Sequence, residues 1–315
     1  MKNPIITLTS LAVLGLGTLN AQVKIGDNPA TIDASALLEV ESTSKGFLPP
    51  RMTTAQRDII GSPVEGLIIY NTDNKCLEFF NVNHEWISVC DGSVVTTPLT
   101  PVISANGKEW MDRNLGASRV AQSFDDVHAF GDLYQWGRAT DGHEKRNSPI
   151  FSGVFTSTGV ANFNNDPANA WYGRFITRSS SSTTQNWVDP TRPNVNVNNL
   201  WQGVNGINNP CPTGYRLPTE AEWNDERNSW QNSTMNPRDA AFASPLKLPA
   251  AGARNGATAD LAAVNEGRYW SSTIASSSVN APQYFTRRFA FNNNNIFGFF
   301  TVTRSPGSSV RCIKE

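Results

Sequence analysis

Charge is scarce in this chain. Only 17% of its residues are Asp, Glu, Lys or Arg, and the formal net charge is -1. No overall field draws nucleic acid or anionic lipid, so binding to either is not expected. Histidine is scarcer still, with His84, His128 and His143 alone. They form no His-x-x-x-His pair at helical spacing, so neither a zinc or iron site nor any other cofactor is expected. Cysteine is limited to Cys76, Cys90, Cys211 and Cys312. None precedes Cys76, which excludes a lipidated cysteine close behind a leader. Long apolar runs are also missing. The best, Ile5 to Leu19, is roughly 15 residues against the ~20 that a membrane-spanning helix needs.

That short run has another use. Lys2 gives it a positive start, and Leu19-Asn20-Ala21 ends it with a small residue before a cut. Residues 1–21 therefore read as an export signal, with Gln22 as the new N-terminus and an extracellular or outer-surface destination. Once the signal is removed, no membrane span is expected. Nine Trp and sixteen Phe, set among many Asn, Ser, Thr and Gly, suit a loop-rich extracellular fold and not a disordered chain. Four cysteines in an exported protein suggest two disulfides, and three pairings are available. Sequence distance favours Cys76 with Cys90 and Cys211 with Cys312, each pair inside one expected domain.

Residues 22–91 form a first, small β-rich unit. Leu38-Glu39-Val40-Glu41 alternates like a half-buried strand, and Thr53-x-x-Gln56 is a capping box for a short helix. Gly66–Tyr70, Leu77–Phe80 and Trp86–Val89 read as strands, with turns at 71–74 and 81–84. So small a unit has little core of its own, and packing copies together would supply one. Residues 92–101, rich in Thr and Pro, read as a linker to a second domain over 102–315.

The stretch KGFLPPRMTTAQRDIIGSPVEGLIIYNTDNKCLEF resembles the N-terminal module of many Bacteroidetes surface proteins and segments of phage-tail-fibre-like proteins. That resemblance implies a stalk or assembly role and homo-oligomers. From Val102 onward, NGKEWMDRNLGAS, FGDLYQWGRATDGH, CPTGYRLPTEAEW, LKLPAAGARN, GRYWSST and SVRCIKE appear in order. In these blocks the chain resembles the Fibrobacter succinogenes major paralogous domain. RLPTEAEW is also similar to formylglycine-generating, sulfatase-modifying enzymes. The resemblance implies an α+β, C-type-lectin-like fold: a small twisted antiparallel sheet, two helices and long loops. Within it, Thr219-x-x-Glu222 is a capping box, and Trp223 and Trp230 fall on one helix face.

Chemistry is harder to place. Trp223-Asn224-Asp225 matches a calcium triplet of carbohydrate-binding lectins but falls in the first turns of that helix. Formylglycine-type catalysis needs a reactive cysteine pair, and Cys312 is expected to be tied to Cys211. Ser271-Ser272-Thr273 has no evident base. The segment 283–309 carries the best binding reading. Phe285, Phe289 and Phe291 are expected to face inward, and Tyr284, Thr286 and Arg288 outward, the outer row continuing through Asn292 and Asn294. Phe297, Phe299, Phe300 and Thr301 are expected beside them, with the outward members of that set left open. The resemblance extends to the variable proteins of diversity-generating retroelements, whose surface positions vary just before a fixed end. The expected function is non-catalytic adhesion or recognition of a glycan or protein ligand. A structural part of a surface assembly is the alternative, and a relative of the sulfatase-modifying enzymes a third.

Overall fold

The computed structural model describes residues 22–26, 31–61, 63–82, 85–92, 99–152, 170–177, 186–187, 197–230, 235–275, 285–294 and 297–315. The expected export signal, the centre of the expected linker and Tyr284 lie outside them. The chain divides into two compact units, residues 1–50 and 51–315, which are described separately.

In the first unit, β1 (Val23–Ile25) pairs in parallel with β2 (Leu38–Val40). Alternation sorts the side chains by face. Val23 lies opposite Leu38 and Ile25 opposite Val40, and all four are exposed. The other face carries Lys24, which bonds to Glu39 at 2.9 Å and Glu41 at 2.8 Å. The result is a two-stranded ribbon with one apolar and one ionic side.

The second unit opens with a four-stranded sheet in the order β3 (Arg51–Met52), β4 (Ile68–Asn71), β5 (Cys76–Phe80), β6 (Trp86–Ser88). Helix α1 (Thr54–Asp58) begins at Thr53, and both bonds of the expected capping box with Gln56 form. The three strands read from the sequence are present. Their core is small: Ile69, Phe80 and Trp86, flanked by Met52, Ile60 and Leu67. Arg57 is buried there between Asp58 and Glu78, with its guanidinium over Trp86. Arg119 and Gln122, far along the chain, donate to the carbonyl of Asp58, so the C-terminal end of α1 is capped from a later part of the same unit. Phe80 also packs edge-on against His128 at 5.3 Å.

The rest is mixed and β-rich, with few helices and several small sheets. Strands β7 (Val102–Ile103), β8 (Glu109–Trp110), β12 (Tyr215–Arg216) and β19 (Ile313–Lys314) form one sheet in the order β12-β19-β8-β7. A second has the order β14-β13-β18-β9, from β9 (Tyr134–Gln135), β13 (Ala253–Arg254), β14 (Leu261–Ala262) and β18 (Gly307–Ser308). β10 (Ile150–Ser152) pairs in parallel with β11 (Phe175–Thr177). The longest strands, β15 (Gly267–Ile274), β16 (Phe285–Phe291) and β17 (Phe297–Thr303), make an antiparallel sheet with β16 in the middle. Helices α2 (Glu220–Trp230) and α3 (Pro237–Ala243) follow β12. Thr219 and Glu222 cap α2 reciprocally, at 3.2 and 2.8 Å.

All nine tryptophans are buried, so the tryptophan richness is core and not a displayed surface. Indole N–H groups of Trp136, Trp187, Trp201, Trp223 and Trp270 donate to backbone carbonyls, satisfying donors that burial would otherwise strand. Beyond the Phe80–Trp86 core, the aromatics form two further cores. Trp223, Trp230, Tyr269, Phe289 and Phe291 belong to one, and Trp136, Trp187, Trp201 and Trp270 to the other. Tyr269 and Trp270 are neighbours in β15, so their side chains leave opposite faces. The β15–β17 sheet therefore lies between the two cores. Gly267 sits opposite Phe291, whose ring would lie 2.1 Å from any Cβ there. Only glycine lets that ring cover β15.

Both expected disulfides are present, Cys76–Cys90 and Cys211–Cys312, and none of the four cysteines is free. The second follows from topology: β19 pairs with β12, which brings the chain's end to the strand just after Cys211. Among the described residues, no helix is long and apolar enough to cross a membrane.

Candidate functional site

The expected recognition face requires correction. Phe289 and Phe291 are buried as expected, and Phe289 stacks on Trp223 with ring centroids 5.3 Å apart. But two members of the supposed outer row, Thr286 and Arg288, are buried too. Thr286 is 0% exposed and donates to the carbonyl of Thr273. Arg288 is 8% exposed, with its guanidinium 5.8 Å from the centre of the Trp270 ring. The reason is position: β16 is the middle strand of a sheet covered on both sides, so alternation there separates two cores and not core from solvent. Phe285, expected inside, is half-buried.

Exposure moves to the edge strand β17 and the turn before it. Phe300 and Thr301 are exposed, Phe299 is half-buried against the Trp223 core, and the Phe297 side chain lies outside the described set. Asn292 is half-buried and Asn294 exposed, with the Asn294 N–H donating to the Asn292 side chain. Arg287, which the sequence reading passed over, bridges the sheet to α2. It grips both oxygens of Glu220 at 2.8 Å and donates to the Thr301 hydroxyl at 2.7 Å.

A cleft of about 410 Å³ opens beside this edge, where Phe285 pairs with Thr303. Arg254, Arg268 and Arg288 all line it, along with Gly256, Phe285 and Val302, and among the described residues no acidic one does. Arg254 is held by the carbonyls of Ala259 and Ser148, each at 2.7 Å, and lies over the Phe175 ring. Arg268 bonds to Glu266 at 2.8 Å. Among the described residues, Arg288 has no carboxylate in contact. Its nearest partner is the Ser308 hydroxyl at 3.5 Å, and its Nε is buried with no partner. Burial, with the charge of Arg268 adding to it, pushes the Arg288 guanidinium down to about 9. No sequence spacing links these arginines, which come from three separate strands.

One cluster among the described residues has metal-ligand spacing: Asp141, His143 and Glu144, all buried. Its donors are already engaged. The Gln135 N–H donates to His143 Nε2 at 3.2 Å, so the ring proton resides on Nδ1, facing Asp141 at 2.6 Å. Arg138 takes the other Asp141 oxygen at 2.6 Å, and the Gly142 N–H donates to Glu144 at 2.9 Å. The imidazole has no lone pair left for a cation, and the cluster braces the 135–148 loop.

Burial, reinforced by the positive charge of Arg138, holds His143 at about 4. An unfolded imidazole takes its proton near pH 6.5. Between those values the unfolded chain binds more protons, so stability falls as pH drops, by about 2 kcal/mol at pH 5. Nitrogen NMR of the imidazole should find a neutral, Nδ1-protonated ring at pH 5. A ring already charged at pH 6 would contradict this geometry.

Asn224 and Asp225 lie in α2, half-buried and exposed respectively. In the serine run, the Ser271 hydroxyl donates to the Arg287 carbonyl, and Thr273 accepts the Glu220 N–H that opens α2.

Residues 24–102 match a family described as the phage tail like trimerisation region. No curated protein matches the chain, and no solved structure does.

Proposed function

We propose that this chain is an exported, non-catalytic recognition protein that works as a trimer. Residues 24–102 join the copies, and the domain that follows, of C-type-lectin-like design, offers its cleft and the β17 edge to a glycan or protein ligand. The apolar face of the β1–β2 ribbon carries the reading. A parallel pair is normally buried on both sides, and two strands alone are marginal in water. Here Val23, Ile25, Leu38 and Val40 are bare, within the segment that matches the trimerisation region. Most other large apolar side chains left exposed among the described residues also fall before residue 104, including Phe47, Leu48, Val64 and Val82. Further copies of the chain are the natural cover.

Two observations support recognition over catalysis. Cys312 is bonded to Cys211, so it offers no thiolate. The Ser271 and Thr273 hydroxyls hold backbone groups. The two disulfides fit an oxidising, extracellular setting. The match to a trimerisation region alone also favours the second reading, a structural part of a surface assembly, and ligand binding separates the two.

Changing Ile25 and Val40 together to Asp tests the assembly. Burying one such side chain is worth about 1.5–3 kcal/mol, so the pair in each of three copies should shift dissociation by far more than a hundredfold. Sedimentation of the variant at micromolar concentration should find single protomers, with the near-ultraviolet signal of the buried tryptophans retained. A variant that sediments as the parent does would remove the ribbon from the interface.

A further inference from the structure

We propose that the cleft beside β17 binds an oxyanion, the carboxylate of an acidic sugar, with Arg288 as the group that meets it. This gives a ligand class to the recognition function above and rests on that reading.

Arg288 contrasts with four other buried arginines. Arg57 has Asp58 and Glu78, Arg113 has Asp112, and Arg138 has Asp141. Arg311 lacks an acid but fills its fork with oxygens of Asn114, Met111 and Leu246. Arg288, 8% exposed, is buried too, yet its one hydrogen bond among the described residues is 3.5 Å long and its Nε has no partner there. A buried cation without a counter-charge is costly, and a ligand's oxyanion would remove that cost. Its place in the cleft makes this reachable. Arg254 and Arg268 share the lining, and Glu266, whose charge acts on Arg288, is bonded to Arg268.

The remaining walls say what carries the charge. Phe285, Val302 and Pro306 supply apolar surface beside the arginines. A bare inorganic ion has no use for such walls, whereas the C–H face of a sugar ring packs against them. The volume falls in the range of small-molecule sites. A planar guanidinium also fits a carboxylate through two parallel hydrogen bonds.

The test uses the whole exported chain and calorimetry with three probes: glucuronate, neutral glucose and inorganic phosphate. Glucuronate should bind saturably, with glucose weaker by roughly ten- to a hundredfold, the span that hydrogen bonds to a charged group supply. Arg288→Met should abolish the difference. Because Arg288 lies over Trp270, a second variant, Ala257→Glu, guards against misfolding. Ala257 is exposed at the rim of the cleft, and a carboxylate there should compete with the ligand and weaken glucuronate by a similar factor. Phosphate displacing glucuronate at equal concentration would keep the oxyanion site and make the free ion its ligand. Absence of saturable binding by any anion, or binding that survives both variants, overturns the inference. The trimer needs no anion, so failure here with trimers intact leaves the assembly reading standing.

Discussion

Replacing Cys211 and Cys312 together with alanine is expected to lower the unfolding free energy of the C-terminal domain by about 4–5 kcal/mol. The bridge closes a loop of 101 residues, and it joins the strand order at one place. β19 lies between β12 and β8, where buried Ile313, the bonds of Arg311 and the Lys314–Glu109 ion pair also hold the chain's end, so the bridge acts chiefly through the unfolded chain. Without the bridge the unfolded chain gains the entropy of that long loop. The same change at Cys76 and Cys90, 14 residues apart, should cost less, about 3 kcal/mol. Guanidinium titration followed by tryptophan near-ultraviolet dichroism separates the two. A loss below 1 kcal/mol for the longer bridge would mean that the β12–β19 pairing holds without it.

Phe289→Ala should be nearly as damaging, at about 3–5 kcal/mol. The ring is 0% exposed and meets Trp223, Trp230, Phe291 and Phe299 at centroid distances of 5.3 to 6.1 Å. Four large rings cannot collapse around the space left by a fifth, so the lost contact and the cavity both count. Phe300→Ala, on the same strand pair but 43% exposed, should fall within about 0.5 kcal/mol of the parent. Equal losses at the two positions would show that β17 is not an edge.

The sequence carried local structure well and tertiary placement poorly, for physical reasons. Capping boxes at Thr53 and Thr219 are written in residues three apart, and both form. The cysteine pairs followed from confining each bridge to one domain. Alternation in β16 correctly sent Phe289 and Phe291 inward, but it carries no information on what covers the opposite face. Trp270, from a neighbouring strand, and Ser308, from β18, lie against Arg288 there, so the row read as a surface became a second core boundary. The arginine cleft was invisible for a related reason. Arg254, Arg268 and Arg288 meet through strand pairing alone. In the first unit, Leu38 and Val40 stood out as a strand face, whereas Val23-Lys24-Ile25 was too short to signal its partner.

Mass in solution tests the central claim most directly. Light scattering of the chain from Gln22 onward should give three times the protomer mass at micromolar concentration. That mass should hold across a tenfold dilution, because the proposed assembly covers the apolar ribbon with other copies. A single-protomer mass at tens of micromolar, with the C-terminal domain folded, would contradict the assembly that the account rests on.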